Sequence, residues 1–148
     1  MSKLHILAAS YRAINDALEG RLKSRNIHSE IVFSLSMNNN IAESFRRFGI
    51  TPSTTSLLVV KVAPASSASQ ISEHLSSSIE GEAVPFEDGT LSKMTDIARV
   101  KKLYKLNASG GGGGKKGAVN GVSEKIQDER KELEIMVLGA MALRGATN

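Results

Sequence analysis

Glu30-Ile31-Val32-Phe33-Ser34-Leu35 is the stretch on which the fold turns. Ile31, Phe33 and Leu35 alternate with Glu30, Val32 and Ser34, and β-branched and aromatic side chains are enriched, which is the pattern of a strand with one face buried. A second run, Leu57-Leu58-Val59-Val60-Lys61-Val62, is continuous rather than alternating. It predicts a central strand covered on both faces. Helical spacing surrounds the two runs. Leu7, Tyr11, Ile14, Leu18 and Leu22 recur at steps of three and four, with Arg12, Asp16, Glu19 and Lys23 between them. Strands separated by helices predict an α/β domain, α+β being the alternative, in which a small mixed sheet is packed by helices.

Working outward, Asn40 with Glu43 three residues on resembles a capping box, Ile41, Phe45 and Phe48 share a face, and Gly49-Ile50 has the form of a Schellman stop. A short helix over 41–48 follows. Ile71, Leu75 and Ile79 predict another, with Gly81 placed to end it, and residues 91–106 read as one helix or two short ones. Composition breaks at Asn107, where five glycines, Gly110 to Gly114, precede Lys115-Lys116-Gly117. Such a stretch buries nothing and reads as a disordered tether. Ser123 can cap a final helix with a charged first half and an apolar second half. The organisation expected is a single domain with a core over 1–106, a Gly-rich linker over 107–122 and a C-terminal helix over 123–148. That helix is too apolar to stand in water alone. It packs on its own core or in a partner's groove, and periodicity does not separate the two.

With 148 residues the chain suffices for one core. It has no cysteine, which excludes disulfides and thiolate metal sites. No basic-then-apolar leader opens it, so an intracellular site is expected. The net charge of +4 permits contact with phosphate without marking a dedicated nucleic-acid binder, and aromatic content of 4% argues against a base-stacking platform.

The glycine run invites comparison with phosphate-binding loops. A Walker loop needs glycine where Ser109 stands and Ser or Thr where Lys116 stands. Gly112, Gly114 and Gly117 fit the dinucleotide spacing only formally, since no βαβ strand feeds them. His5, His28 and His74 are isolated, without metal-ligand spacing, and read as partly exposed histidines. The acidic pairs Glu87-Asp88 and Asp128-Glu129 read as solvated, and no Gly-x-Ser-x-Gly elbow marks a nucleophile. Neither enzyme activity nor a cofactor or metal is expected. Two features remain. Arg46 and Arg47 form one basic surface with Arg21, Lys23 and Arg25 if the two helix ends lie close, solvated charges being the alternative. The apolar C-terminal helix is the second.

The stretches Ser29-Glu30-Ile31-Val32-Phe33-Ser34-Leu35-Ser36, Asn38-Asn39-Asn40-Ile41, Phe45-Arg46-Arg47-Phe48-Gly49-Ile50, the run over 57–62 and Val100-Lys101-Lys102-Leu103-Tyr104-Lys105-Leu106 together resemble the PRPK-binding protein (TPRKB) family, the small subunit of the EKC/KEOPS complex. The likeness is colinear over about 4–106 and resumes weakly over 133–146. It implies a non-catalytic subunit that binds and modulates the atypical kinase of that complex. The complex places threonylcarbamoyl on the adenosine beside the tRNA anticodon, in nucleus and cytoplasm. It implies that Arg46, Arg47, Arg21, Lys23 and Arg25 help to hold tRNA. It further points to Met136, Val137, Ala140, Met141 and Leu143 as the kinase-binding face. Family members usually carry strands and a helix ahead of Leu4, so a shortened form is expected here, and the glycine tether is a second departure. A stand-alone RNA-binding domain without a kinase partner is the alternative function.

Overall fold

The computed structural model describes residues 1–106 and 122–144, with side chains described over 1–106 and 127–144. The linker expected over 107–122 falls outside the described residues except at Val122. Among the described residues the fold is helical: α1 Lys3–Leu18, α2 Ile27–Leu35, α3 Ile41–Phe48, a 3₁₀ turn Ala65–Ser67, α4 Ala68–Ser78, α5 Asp88–Met94, α6 Ile97–Leu103 and α7 Val122–Ala142. None of them forms a strand, and the mixed sheet expected of an α/β or α+β domain is replaced by a helix bundle.

The correction begins at α2. Asn26 stands at the N-cap, its side-chain oxygen accepting from the Ser29 amide at 2.9 Å, and Glu30 sits in the first turn. A helix satisfies its own backbone, whereas a strand needs a neighbour. The stretch is apolar nearly all round, and as a helix it buries Glu30, Ile31, Phe33, Ser34 and Leu35. Six residues of alternation fit either period when both faces are buried, and here the cap decides.

Residues 57–62 take no regular secondary structure. Leu57, Leu58 and Val59 are exposed, while Val60 and Val62 turn onto the core and the Val62 amide donates to His28 Nε2 at 3.1 Å. The run therefore lies along the bundle instead of forming a sheet's centre.

α1 ends earlier than its apolar spacing suggests. Gly20 takes φ +65°, its amide donates to the Ala17 carbonyl at 3.3 Å, and the Arg21 amide reaches the Asp16 carbonyl at 2.7 Å. This is a Schellman stop, so Leu22 lies past the helix. Gly49 is a different case: its φ of −77° suits any residue, but a Cβ there would strike the Phe45 carbonyl oxygen. α3 has the expected bounds, with Asn40 accepting from the Glu43 amide at 2.9 Å. The expected helix beginning near Ile71 is α4, and residues 91–106 resolve into α5 and α6.

Ile6, Ala9 and Ala13 of α1, Ile31 and Leu35 of α2, Val100 and Tyr104 at α6, and Val137 and Met141 of α7 form one core. The Tyr104 hydroxyl donates to the Leu35 carbonyl, and burial holds the phenol protonated far above its usual range. Phe48 tilts against the Tyr104 ring, with centroids 6.0 Å apart, and this places α3 beside α6.

Candidate functional site

α7 packs on its own domain. It runs parallel to α1, in a register fixed by His5 Nε2 donating to the Glu134 carbonyl at 3.1 Å and Arg12 Nη1 donating to the Met141 carbonyl at 2.8 Å. Ser2 Oγ adds a bond to Glu134 Oε1 at 2.6 Å. Helical spacing divides the five residues named from the sequence, four of them on α7 and Leu143 just past its end. Val137 and Met141 belong to the core, at 0% and 4% exposure, and Ala140 is half-buried against it. Met136 and Leu143 face solvent, and Ile135 joins them. α1 is divided likewise: opposite its buried Ile6, Ala9 and Ala13, it exposes Leu4, Leu7, Tyr11 and Leu18, the last two at 70% and 80%. Leu4, Tyr11 and Leu18 are seven apart and Leu7 falls between, the spacing of a helix seam that takes a partner. Both helices thus turn an apolar row to the core and another to water, and large exposed apolar patches on a soluble domain mark interaction sites.

The basic residues divide too. Lys23 and Arg25 line a shallow depression with Ser24, Ser29, Ile41 and Phe45, which brings the loop after α1 against α3. Arg21 is drawn away, pairing with Asp16 at 3.3 Å and Glu19 at 2.6 Å. Arg46 and Arg47 both engage Glu43, at 2.9 and 2.6 Å. The Arg47 hydrogen bond and the two guanidinium charges hold the Glu43 carboxyl below its usual range. From α3, Phe45 faces one flank and Arg47 the other, where Arg47 Nη1 donates to the Leu103 carbonyl at 3.4 Å. Lys23 and Arg25 thus lie on the Phe45 flank of α3, and Arg47 on the flank that meets α6.

Sequence reasoning missed a buried pair. The Glu30 carboxylate accepts from the Ser24 amide at 2.8 Å, Ser24 Oγ at 2.6 Å and the Lys23 amide at 3.1 Å. Arg144 Nη2 lies 3.8 Å from its other oxygen, and Arg144 Nη1 donates to the Phe33 carbonyl at 2.6 Å. The guanidinium carbon sits 3.8 Å from the Phe33 ring centroid. Burial, with Arg12 nearby, lowers Arg144 to about 10 despite the Glu30 charge. Arg144, two residues past α7, follows Val137 by seven and Met141 by three and so continues their face in the sequence, but its pairing with Glu30 shows only once the fold is in place. The pair fixes the basic loop and the end of α7 to α2.

His5 is buried rather than partly exposed. Its Nε2 donates to Glu134, so Nδ1 is left to accept from the Ser2 amide at 2.9 Å, and burial lowers its pKa. Among the described residues no group of three His, Asp or Glu is placed to hold a metal, and no helix is long and apolar enough to cross a membrane. The arrangement offers surfaces for binding.

Residues 1–145 match the family described as Kinase binding protein CGI-121. A protein of Aspergillus fumigatus named EKC/KEOPS complex subunit cgi121 is 53% identical, over 99% of this chain and 71% of its own length. One of the same name from Aspergillus terreus is 54% identical, over 99% of this chain and 73% of its own length. The zebrafish EKC/KEOPS complex subunit TPRKB is 40% identical, over 68% of this chain and 56% of its own length.

Proposed function

Because the chain belongs to the kinase-binding CGI-121 family, we propose that it is a non-catalytic KEOPS subunit that binds and modulates the complex's kinase. It also helps to engage tRNA for threonylcarbamoylation of the adenosine next to the anticodon. One structural observation carries the kinase half of the reading: apolar rows on α1 and α7 stand in water after both helices have filled the core. An isolated domain gains nothing from them, and a partner that covers them gains roughly 25 cal/mol per Å² of apolar surface. The tRNA half is supported by the net charge of +4 and by the basic groups on both flanks of α3. Nucleus and cytoplasm are the compartments proposed for it.

Co-expression with the cognate kinase subunit and purification through a tag on this chain tests the reading. Co-purification in a stable ratio is expected, and its failure sinks the proposal. Met136→Asp with Leu143→Asp should abolish capture and leave the helical circular dichroism unchanged, because both side chains are exposed. Met141→Asp should unfold the domain instead, since it places a carboxylate in the core.

A further inference from the structure

Beyond Glu43, Arg47 reaches α6 at the Leu103 carbonyl, and there it lines a cleft of about 600 Å³ with Asp96, Ala98, Arg99, Lys102 and Leu103. The acids nearby are already engaged. The Asp96 carboxylate accepts from the Arg99 amide at 2.9 Å as the cap of α6, and Glu43 holds both arginines of α3. Arg99 and Lys102, three apart and so on adjoining turns, are both exposed and make no ion pair among the described residues. Residues 96–105 hold one acid, Asp96, against Arg99, Lys101, Lys102 and Lys105, a local charge of +3. None of the lining side chains is aromatic.

We propose that this cleft between α3 and α6 binds the phosphodiester backbone of RNA, through Arg99 and Lys102 with Arg47 as a positioning residue at its wall. The proposal rests on the RNA-engaging part of the reading above and gives it a place. A guanidinium fork beside an ammonium matches phosphate oxygens, and no aromatic platform lines the cleft on which successive bases would stack. Binding here is therefore independent of sequence and steep in salt. Arg47 is tied to Glu43 and to the Leu103 carbonyl, so it fixes the wall's shape while Arg99 and Lys102 supply free charge.

The test is fluorescence anisotropy of the full chain with a labelled twelve-nucleotide oligouridylate across a salt series, with a labelled poly-glutamate peptide in parallel. Arg99→Glu with Lys102→Glu should weaken oligouridylate binding at least tenfold. Loss of two phosphate contacts should also flatten the slope of log affinity against log salt by about 1.4. Lys61→Glu with Lys93→Glu, an equal change of net charge elsewhere, should weaken binding much less, and the Arg99→Gln, Lys102→Gln pair should fall between. If wild-type binds and the α6 pair loses no more than the Lys61, Lys93 control, the cleft is wrong while RNA engagement stands. If wild-type binds no oligouridylate at any salt, RNA engagement itself is overturned. Equal affinity for poly-glutamate overturns the choice of RNA in favour of an acidic protein partner.

Discussion

Glu30 and Arg144 are not equal partners. Glu30 accepts three hydrogen bonds besides facing the guanidinium, whereas Arg144 depends on Glu30 for its charge and on one carbonyl and a ring for contact. Breaking a buried pair costs about 3–5 kcal/mol because the remaining charge is stranded. Glu30→Ala should reach that range, since it also strips acceptors from the loop at Lys23 and Ser24. Arg144→Met should cost less, as Met fills volume and Glu30 keeps its three donors. Urea unfolding gives both values, and the reverse order would show that the pair is not the clamp described here. His5 gives a second residue-scale prediction. Protonating Nδ1 would set two donors, that nitrogen and the Ser2 amide, against each other in a buried site. With the folded pKa below the ordinary 6.5, the unfolded chain binds the extra proton. Stability is therefore full above that value and falls as pH drops beneath it, by at most about 1.4 kcal/mol per pH unit. His5→Gln should flatten the difference in unfolding free energy between pH 7 and pH 5, and an unchanged slope would discount His5.

At the scale of the element, caps and stops decide where spacing is silent. Gly20→Ala meets nothing within 4 Å, so its cost is the left-handed backbone alone, about 1–2 kcal/mol. Asn26→Ala should cost about 1 kcal/mol by leaving the Ser29 amide without its acceptor. Both are checked by urea midpoints at unchanged m-value. The same two residues explain what the sequence made legible. α3 was readable because its cap and its apolar spacing agree, although Gly49 ends it without the left-handed turn of a Schellman stop. On α1 the period picked out Leu7, Tyr11, Ile14, Leu18 and Leu22, of which Leu7, Tyr11 and Leu18 face water, whereas the core takes Ile6, Ala9 and Ala13. α2 was misread because its helical period hides in a run whose alternation is equally good, and nothing within that run points back to the cap at Asn26. Residues 57–62 were misread because continuous burial on both faces needs neighbouring strands, which no single run can reveal. For the candidate site, period marked α7 as apolar but could not say which row meets the core. The Glu30–Arg144 pair needs tertiary placement to be seen.

Across the whole molecule, two parallel helices cover one core and leave two apolar rows outside it. The α1 row is the larger, and the positions Ala8, Ser10, Asn15 and Ala17 beside it are uncharged. Leu7→Glu with Leu18→Glu separates folding from binding. Both side chains are exposed, so each change should move the unfolding free energy by no more than about 0.5 kcal/mol. Kinase capture, in contrast, should be lost, because a carboxylate at each position would be buried unpaired beneath the partner. Unchanged capture would confine the kinase face to α7 and leave the α1 row to another partner. Loss of capture with the fold intact would make α1 and α7 one surface, with the basic clefts of α3 lying apart from it and free for a different ligand.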